Sequence, residues 1–370
     1  MKNISRDSRL RFNALIAATV LSSIHFSLQA DDQKVPSHYQ QTNLVSDLPG
    51  IAAHTDVNLQ NAWGIAFNPN GPVWIANNGT GTSTLYDGNG VSFANLPLVN
   101  VPGAAGPGDP TGIVFSSSND FNVTPNNPAR FIFANESGVL AAWAPTVDLH
   151  NAIAVGGTTP DNEPPIYKGL ALAGNGTNHF LYATDFHNAK VQVFDNTFNW
   201  INPTTTLGCN FSDPTIPAGF APFGIQNING VLYLSYAKQD ADKKDDVADP
   251  GHGYVNIFDA NGCLIRRFAS RGPLNSPWGI ALAPANFGKH GDRLLIGNFG
   301  DGAINSFGLE GGEFRGRLRN QNGAKILIDG LWGLAFGNGV LSQPTNTLFF
   351  TAGPNHEANG LYGKLEAVKN

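Results

Sequence analysis

A glycine that recurs six times at nearly constant spacing constrains this chain more than any other feature. Each copy opens a short apolar run, as in residues 277–282, which read PWGIAL. By subtraction of their numbers, successive copies are 48, 57, 55, 55 and 54 residues apart. The six glycines are Gly64, Gly112, Gly169, Gly224, Gly279 and Gly333.

Two further apolar runs of about four or five residues follow each glycine, and Gly, Asn or Asp separates them. Runs this short between turn-forming residues indicate strands rather than helices. Six near-equal units of about four strands predict an all-β, six-bladed β-propeller. A solenoid is the alternative, but the repeat is long for one and no helical unit accompanies it.

The two ends of the chain predict how the ring closes. The last repeat stops after its third strand, near Val368. A strand-like segment at residues 39–45 precedes the first glycine and takes the place of a fourth strand. We therefore expect the N-terminal strand to complete the sixth blade, which removes an open sheet edge.

Residues 1–30 have the layout of a secretory signal peptide. Basic residues, including Arg9 and Arg11, precede an apolar run at residues 12–28. An uncleaved anchor is the alternative. The predicted organisation is a signal peptide at residues 1–30 and a single propeller domain at residues 31–370. We expect an exported protein, either periplasmic or extracellular.

Charge and hydropathy narrow the possible partners. The chain has 22 Lys and Arg against 28 Asp and Glu, and removing residues 1–30 leaves 18 against 27, a net charge of −9. An acidic domain argues against nucleic acid and anionic membranes as partners. The mature sequence has no second apolar stretch long enough to span a membrane. We expect a monomer.

The only cysteines are Cys209 and Cys263. An exported protein could pair them. However, they precede Gly224 and Gly279 by 15 and 16 residues, which suggests equivalent places in neighbouring blades. Such places should lie beyond the ~7 Å that a disulfide can bridge between Cα atoms. The sequence therefore favours free thiols, with a disulfide as the alternative.

The residue before each motif glycine suggests a ligand site. Four of the six are aromatic and one is Lys168, and together they should ring one mouth of the channel. Packing between blades is one explanation, and an aromatic floor for a ligand is the other. Amides that follow the second strands should reach the same mouth. The predicted ligand-binding residues are Trp63, Lys168, Phe223, Trp278, Trp332, Asn77, Asn135 and Asn298.

Acids and histidines in the same turns suggest a metal site, with Ca or Zn as the possible cofactor. Turn capping is the alternative, because Asn and Asp stabilise tight turns through their own backbone. A polar insertion at residues 238–252 resembles a calcium loop but lacks its central Gly and its final Glu, so a loop over the mouth is the alternative. The predicted metal ligands are Glu136, Asp185, His187, Asp301 and His356.

Several motifs carry a resemblance to known families. The order PWGIA, apolar run, Asn or Asp, then VxVFD resembles NHL-repeat propellers. LNSPWG at 274–279, GNFGDG at 297–302 and TAGPN at 351–355 resemble a family of secreted bacterial propellers known as conserved hypothetical proteins. The resemblance implies the propeller fold and export, and it implies no activity. Many members have a C-terminal Pro-Glu-Pro sorting tail, which this sequence lacks, so we do not expect sorting by that route.

Gluconolactonase and regucalcin propellers bind a metal through Glu, Asn and Asp near their inner strands. The matching positions here hold the residues before the motif glycines, and none is a carboxylate. That metal site is therefore not carried over. The sequence favours an exported propeller that binds a small ligand, a glycan or a protein partner at its channel mouth. The alternative is a hydrolase or lyase that depends on Ca or Zn held by the rim carboxylates and histidines.

Overall fold

Six antiparallel sheets are arranged around a central channel, so the predicted six-bladed β-propeller is confirmed. The computed structural model describes residues 35–176 and 178–369, and the predicted signal peptide lies outside them. The first two strands are β1 (His38–Ser46) and β2 (His54–Thr55). Blade 1 contains β3 (Ala62–Phe67), β4 (Val73–Asn77), β5 (Thr82–Tyr86) and β6 (Leu98–Asn100). Blade 2 contains β7 (Pro110–Phe115), a small excursion of β8 (Asn122–Thr124) and β9 (Asn127–Pro128), then β10 (Phe131–Asn135), β11 (Leu140–Trp143) and β12 (Ile153–Gly156).

The remaining blades repeat the same plan. Blade 3 contains β13 (Tyr167–Gly174), β14 (His179–Asp185), β15 (Lys190–Phe194) and β16 (Trp200–Ile201), and the short helix α1 (Pro203–Thr206) follows it. Blade 4 contains β17 (Phe220–Ile228), β18 (Val231–Lys238), β19 (Tyr254–Phe258) and β20 (Leu264–Ser270). Blade 5 contains β21 (Pro277–Leu282), a 3-10 turn (Gly288–His290), β22 (Arg293–Asn298), β23 (Ile304–Gly308) and β24 (Phe314–Arg317). Blade 6 contains β25 (Leu331–Phe336), β26 (Leu348–Ala352) and β27 (Leu361–Val368).

The motif glycines lie where neighbouring inner strands approach most closely. A Cβ atom on Gly224 would lie 2.2 Å from the main-chain oxygen of Trp278, and one on Gly279 would lie 2.4 Å from that of Trp332. Each inner strand also changes register at the motif, which marks a β-bulge. The repeat therefore carries glycine because no side chain fits between adjacent blades at the channel.

Six apolar clusters of the core each lie between two adjacent blades, and a seventh lies in the channel. Between blades 1 and 2, for example, Trp74 stacks on Phe131 with ring centroids 4.0 Å apart, and Trp143 packs beside both. Large aromatic residues fill the wedge that opens between two sheets as they diverge from the channel.

The N-terminal strand closes the ring, as predicted. β1 pairs antiparallel with β27 from His38 opposite Val368 to Ser46 opposite Leu361. Blade 6 thus has the strand order β2-β1-β27-β26-β25. At the start of β1, the Tyr39 hydroxyl donates a hydrogen bond of 2.9 Å to the main-chain oxygen of Phe287, which also ties this strand to blade 5.

The expectation of free thiols is wrong, because Cys209 and Cys263 form a disulfide with Cα atoms 5.0 Å apart. The two residues are not equivalent in the repeat. Cys263 begins the outer hairpin of blade 4, whereas Cys209 lies in the connection after α1, which runs along that hairpin. The Phe211 N–H donates to the main-chain oxygen of Gly262 at 2.9 Å and holds this connection in place.

The helices in the described part of the chain are short. None of those among residues 35–176 and 178–369 is both long and apolar enough to cross a membrane.

Candidate functional site

The residues before the motif glycines meet in the channel, but they form a closed aromatic plug rather than an open floor. We define the aromatic plug as Trp63, Phe186, Phe223, Trp278, Phe299 and Trp332. Trp332 lies at its centre. It stacks on Trp63 with centroids 3.5 Å apart and on Phe299 at 4.0 Å, and it meets Trp278 edge-on at 5.6 Å.

The plug leaves little aromatic surface for a ligand. Trp63, Phe223 and Trp332 are each 1% exposed, and Trp278 is 9% exposed. The indole N–H of Trp278 donates to the main-chain oxygen of Lys168 at 3.1 Å, and that of Trp332 donates to Asn61 Oδ1 at 3.3 Å. In this structure the aromatic residues therefore pack against one another between the blades, which was the alternative to an aromatic floor for a ligand.

A buried ion pair covers the plug. The Lys168 side chain is 2% exposed, and its Nζ lies 5.1 Å from the centre of the Trp63 ring. Nζ pairs with Glu136 and lies 3.4 Å from Asp245 Oδ1. Asn78 donates to the second oxygen of Glu136 at 2.9 Å. Asn78, Glu136, Lys168 and Asp245 come from blades 1, 2, 3 and 4, so these polar contacts tie four blades together at this mouth, which we call the plugged mouth.

The electrostatics of this pair favour both charged forms. Burial alone would lower the pKa of Lys168, but the negative charges of Glu136 and Asp245 raise it above its ordinary value. Burial alone would raise the pKa of Glu136, but the positive charge of Lys168 holds it below its ordinary value. Each group therefore stays ionised because the other is present.

Two further carboxyl groups lie around the plugged mouth in a less favourable setting. Burial raises the pKa of Glu357, although Asn61 donates to it at 2.7 Å. Burial likewise raises the pKa of Asp246, which belongs to the insertion at residues 238–252. The insertion therefore brings the carboxyl groups of Asp245 and Asp246 to the plugged mouth.

The three predicted amide ligands are fully buried and support turns. Asn77 Nδ2 donates to the hydroxyls of Thr82 and Thr84, each at 3.1 Å. Asn135 Oδ1 accepts from the Asp109 N–H at 3.1 Å. Asn298 Nδ2 donates to the main-chain oxygen of Pro273 at 2.8 Å. These bonds give the three amides a structural role, and those of Asn135 and Asn298 connect their turns to distant segments of the chain.

The structure does not gather the five predicted metal ligands. Within residues 35–176 and 178–369, no three His, Cys, Asp or Glu side chains form a group suited to a metal ion. Glu136 is paired with Lys168. Asp185 is buried and accepts from Asn188 at 2.8 Å and Gln192 at 3.0 Å, and burial raises its pKa. Asp301 accepts from Asn298 at 2.8 Å and lies 3.8 Å from Arg317. His187 is half-buried, and His356 is exposed with φ at 54°.

The opposite mouth of the channel is open and forms a cavity of about 490 Å³, which we call the funnel. The far ends of all six inner strands line it. The side chains three residues after the motif glycines are half-buried there, and five of these six are apolar. They are Phe67, Phe115, Leu172, Asn227, Leu282 and Phe336. The funnel narrows towards the motif glycines, where a space of about 40 Å³ ends against Trp278.

Two exposed amides, those of Gln226 and Asn229, lie in the funnel wall. Gln226 occupies the position that is Ala or Val in the other five repeats. The side-chain amide of its neighbour Asn227 already forms hydrogen bonds within the protein. Its Nδ2 donates to the main-chain oxygen of Leu172 at 2.7 Å, and its Oδ1 accepts from the Gly230 N–H at 3.0 Å. The sequence reasoning missed the funnel. An apolar residue three places after five of the six motif glycines was the available signal.

Comparison with curated proteins shows the family. The chain is 37% identical over 328 residues to "Uncharacterized protein R648" of Acanthamoeba polyphaga mimivirus, covering 87% of this chain and 78% of that protein. The chain belongs to this protein's family. A second member, "Uncharacterized protein L690" of the same virus, is 34% identical over 329 residues, covering 87% of this chain and 84% of the relative.

The family corrects one expectation from the sequence. Secreted bacterial propellers were expected as relatives, whereas the two members found here are viral proteins. No protein-family model matches the chain.

Three solved structures are similar to this chain at low sequence identity. A streptogramin B lyase structure has a TM-score of 0.48 and 13% identity, covering 90% of this chain and 98% of that one. A virginiamycin B lyase from Staphylococcus aureus has a TM-score of 0.45 and 14% identity, covering 89% and 99%. A nidogen/laminin complex has a TM-score of 0.42 and 12% identity, covering 74% and 84%. The similarity concerns the fold alone.

Proposed function

We propose that this protein is an exported binding propeller that takes a small, largely apolar molecule into the funnel. The observation that carries the proposal is an open cavity of about 490 Å³ lined by half-buried Phe and Leu side chains. Small-molecule sites commonly occupy ≈ 300–1,000 Å³ and are mostly apolar with a few polar groups. Covering these side chains would contribute roughly 25 cal/mol for each Å² of apolar surface removed from water.

Two kinds of group in the funnel can form hydrogen bonds with a ligand. Gln226 offers an exposed amide. In addition, each inner strand is the last strand of its sheet on the channel side, so one edge of its backbone has no strand partner within that sheet. Such edges present N–H and C=O groups. A ligand that is apolar with one or two hydrogen-bonding groups fits this lining.

The closed plug gives the proposed site one entrance. Because Trp332 and its neighbours fill the channel at the plugged mouth, a ligand would enter and leave through the funnel alone. A glycan or a protein partner at the plugged mouth, as the sequence suggested, would have to contact an ion network above aromatic rings that are already buried. The metal-dependent hydrolase or lyase has no specific observation in its favour.

The funnel can be tested with Nile red, a neutral apolar dye whose fluorescence rises in apolar sites. Ala335→Phe places a ring inside the funnel, and Ala285→Phe adds the same ring at an exposed position outside it. We expect dye binding to weaken about tenfold or more in the first variant and to stay unchanged in the second, with both variants folded by circular dichroism. Equal binding by Ala335→Phe and the parent, or no binding by the parent, would refute the proposal.

Export is a separate part of the proposal. Disulfides persist in oxidising compartments and are rare in the cytosol, so the bond between Cys209 and Cys263 supports it. If residues 1–30 are a signal peptide, protein recovered from outside the cytoplasm of a producing cell should begin near residue 31. Intact-mass measurement of that protein tests this, and a full-length chain retained in the cytosol would contradict it.

A further inference from the structure

A second cavity, of about 330 Å³, lies at the outer edge of blade 5, and none of its lining residues lines the funnel. Strand β24 and the 3-10 turn at Gly288–His290 form much of its wall. Basic side chains dominate the lining. We call this cavity the basic pocket, and its basic residues are Lys289, His290, Arg315, Arg317, Arg319 and Lys325.

The basic pocket carries a positive charge, whereas the chain as a whole is negatively charged. Five of its residues are Lys or Arg, and two of them are paired with carboxylates: Arg315 with Glu313, and Arg317 with Asp301 at 3.8 Å. Five positive charges less two negative ones leave a local excess of three, whereas the whole chain has a net charge of −6. Like charges held together repel, and an anion between them would relieve this repulsion.

Two of the arginines are held in place. Arg317 Nε donates to Asn305 Oδ1 at 3.0 Å, and Arg319 Nη1 donates to the main-chain oxygen of Gly323 at 2.6 Å. A guanidinium group has five N–H donors, so these bonds leave others available. Lys289 and Lys325 are exposed and form no ion pair with a carboxylate in the part of the chain that the structure describes.

A buried histidine supplies an independent indication of a ligand. His290 is 3% exposed, lines the basic pocket, and its Nδ1 has no hydrogen-bond partner among residues 35–176 and 178–369. Its main-chain N–H donates to the Tyr39 hydroxyl at 3.2 Å, which fixes the residue at the base of the N-terminal strand. A Cβ atom on Gly316 would lie 3.9 Å from His290 Cε1, so glycine leaves the ring uncovered by a side chain from β24. A buried polar atom without a partner is costly unless something binds it.

We propose that the basic pocket binds a tetrahedral oxyanion, either free phosphate or sulfate or the phosphate or sulfate group of a small ester. The arginine N–H groups and the two lysines would bind its oxygens, as these side chains do in other oxyanion sites. Phe314 also lines the basic pocket and is 47% exposed, and it offers an apolar surface for the body of an ester. This site is independent of the funnel and does not rest on the proposed function.

Burial and the nearby charges of Arg293 and Lys289 lower the pKa of His290 to about 4. The imidazole is therefore neutral at pH 7, and Nδ1 or Nε2 can donate one hydrogen bond to an anion. Binding should move the His290 ring resonances in an NMR spectrum, which gives a readout located at this site.

The test is titration of the full chain with inorganic phosphate, sulfate and phenyl phosphate by calorimetry at pH 7 and constant ionic strength. Lys325→Met and Arg319→Met each remove one positive charge from the basic pocket, and Lys243→Met removes one from the exposed insertion as a matched control. We expect each pocket variant to bind phosphate about tenfold more weakly and the control to bind as the parent does. Shifts of the His290 resonances should follow the same titration.

The outcomes separate the two sources of the oxyanion. Tighter binding of phenyl phosphate than of phosphate, with the gain lost in Phe314→Ala, supports an ester as the ligand. Equal binding of both supports the free ion and overturns the role of Phe314. Absence of binding, or equal weakening in Lys243→Met, overturns the proposal as a whole.

Discussion

The main-chain oxygen of Trp63 lies against the α-carbon of Gly333, at the point where the last blade meets the first. A Cβ atom on Gly333 would lie 2.7 Å from this oxygen and 2.6 Å from Thr351 Oγ1. The Thr351 hydroxyl donates to the same oxygen at 2.5 Å, and it accepts from the Gly333 N–H at 2.9 Å. The ring is therefore closed at the channel as well as by the pairing of β1 with β27 at its edge.

Gly333→Ala should destabilise the protein by about 3 kcal/mol, because overpacking against backbone that cannot move costs this much. Urea unfolding followed by tryptophan fluorescence measures the loss. The control is Gly323→Ala, where φ is +75° and a Cβ atom would meet no neighbour within 4 Å. That variant should lose only about 1 kcal/mol, from backbone strain. Similar losses in the two variants would show that close approach at the channel does not explain the glycine repeat.

Lys168→Met should lower the free energy of unfolding substantially, although Met and Lys are similar in size. It leaves the buried carboxylate of Glu136 without its cation, and breaking one side of a buried pair costs about 3–5 kcal/mol. The double variant Lys168→Met, Glu136→Gln removes both charges and should recover part of this stability. The midpoints of urea unfolding of the parent, the single variant and the double variant measure these differences in stability. A double variant less stable than the single one would contradict the ion-pair explanation.

The sequence predicted the parts of this molecule that repeat. Six glycines at nearly even spacing indicate six equivalent close approaches, so the blade number followed from the spacing. The closing strand followed from the fourth strand that the last repeat lacks. The spacing does not predict which side chains from different repeats contact one another. Trp332 was expected at the channel, but whether it faces a ligand or stacks on Trp63 depends on the positions of four other rings.

Irregular segments account for the other differences. The Cys209–Cys263 bond was the less favoured alternative because the two residues were assigned equivalent places in neighbouring blades, whereas the chain before Cys209 forms a four-residue helix and a connection to the next blade. The basic pocket unites residues from strand β24, a 3-10 turn and a loop. No local spacing of Lys and Arg indicated that these would share one cavity.

Removing the disulfide should lower stability by up to about 4 kcal/mol. The bond closes a loop with a sequence separation of 54 residues, and the chain-entropy relation gives this order of magnitude. The variant Cys209→Ala, Cys263→Ala avoids a stray thiol. We expect a lower Tm than that of the oxidised parent and a Tm close to that of the parent unfolded in a reductant. If reductant lowers the Tm of the variant as much as that of the parent, the bond is not the source of the loss.

Asp213 should make the protein sensitive to acid. Its carboxylate accepts from Thr215 Oγ1 at 2.7 Å, Arg267 Nη2 at 2.5 Å and Asn256 Nδ2 at 3.0 Å. Burial opposes ionisation, but these hydrogen bonds and the charge of Arg267 lower the pKa from 3.8 to about 2. Because the folded-state pKa lies below the unfolded one, the stabilisation is complete above pH 3.8 and is lost as the pH falls to about 2.

Asp213→Asn should therefore lower the free energy of unfolding at pH 7 by about 2 kcal/mol, the order of a lost charged hydrogen bond. The difference in stability between this variant and the parent should shrink between pH 4 and pH 2. Urea unfolding of both proteins across this range measures it, with the exposed Asp242→Asn as control. A difference that stays constant down to pH 2 would show that the ionised Asp213 is not what stabilises this edge of blade 4.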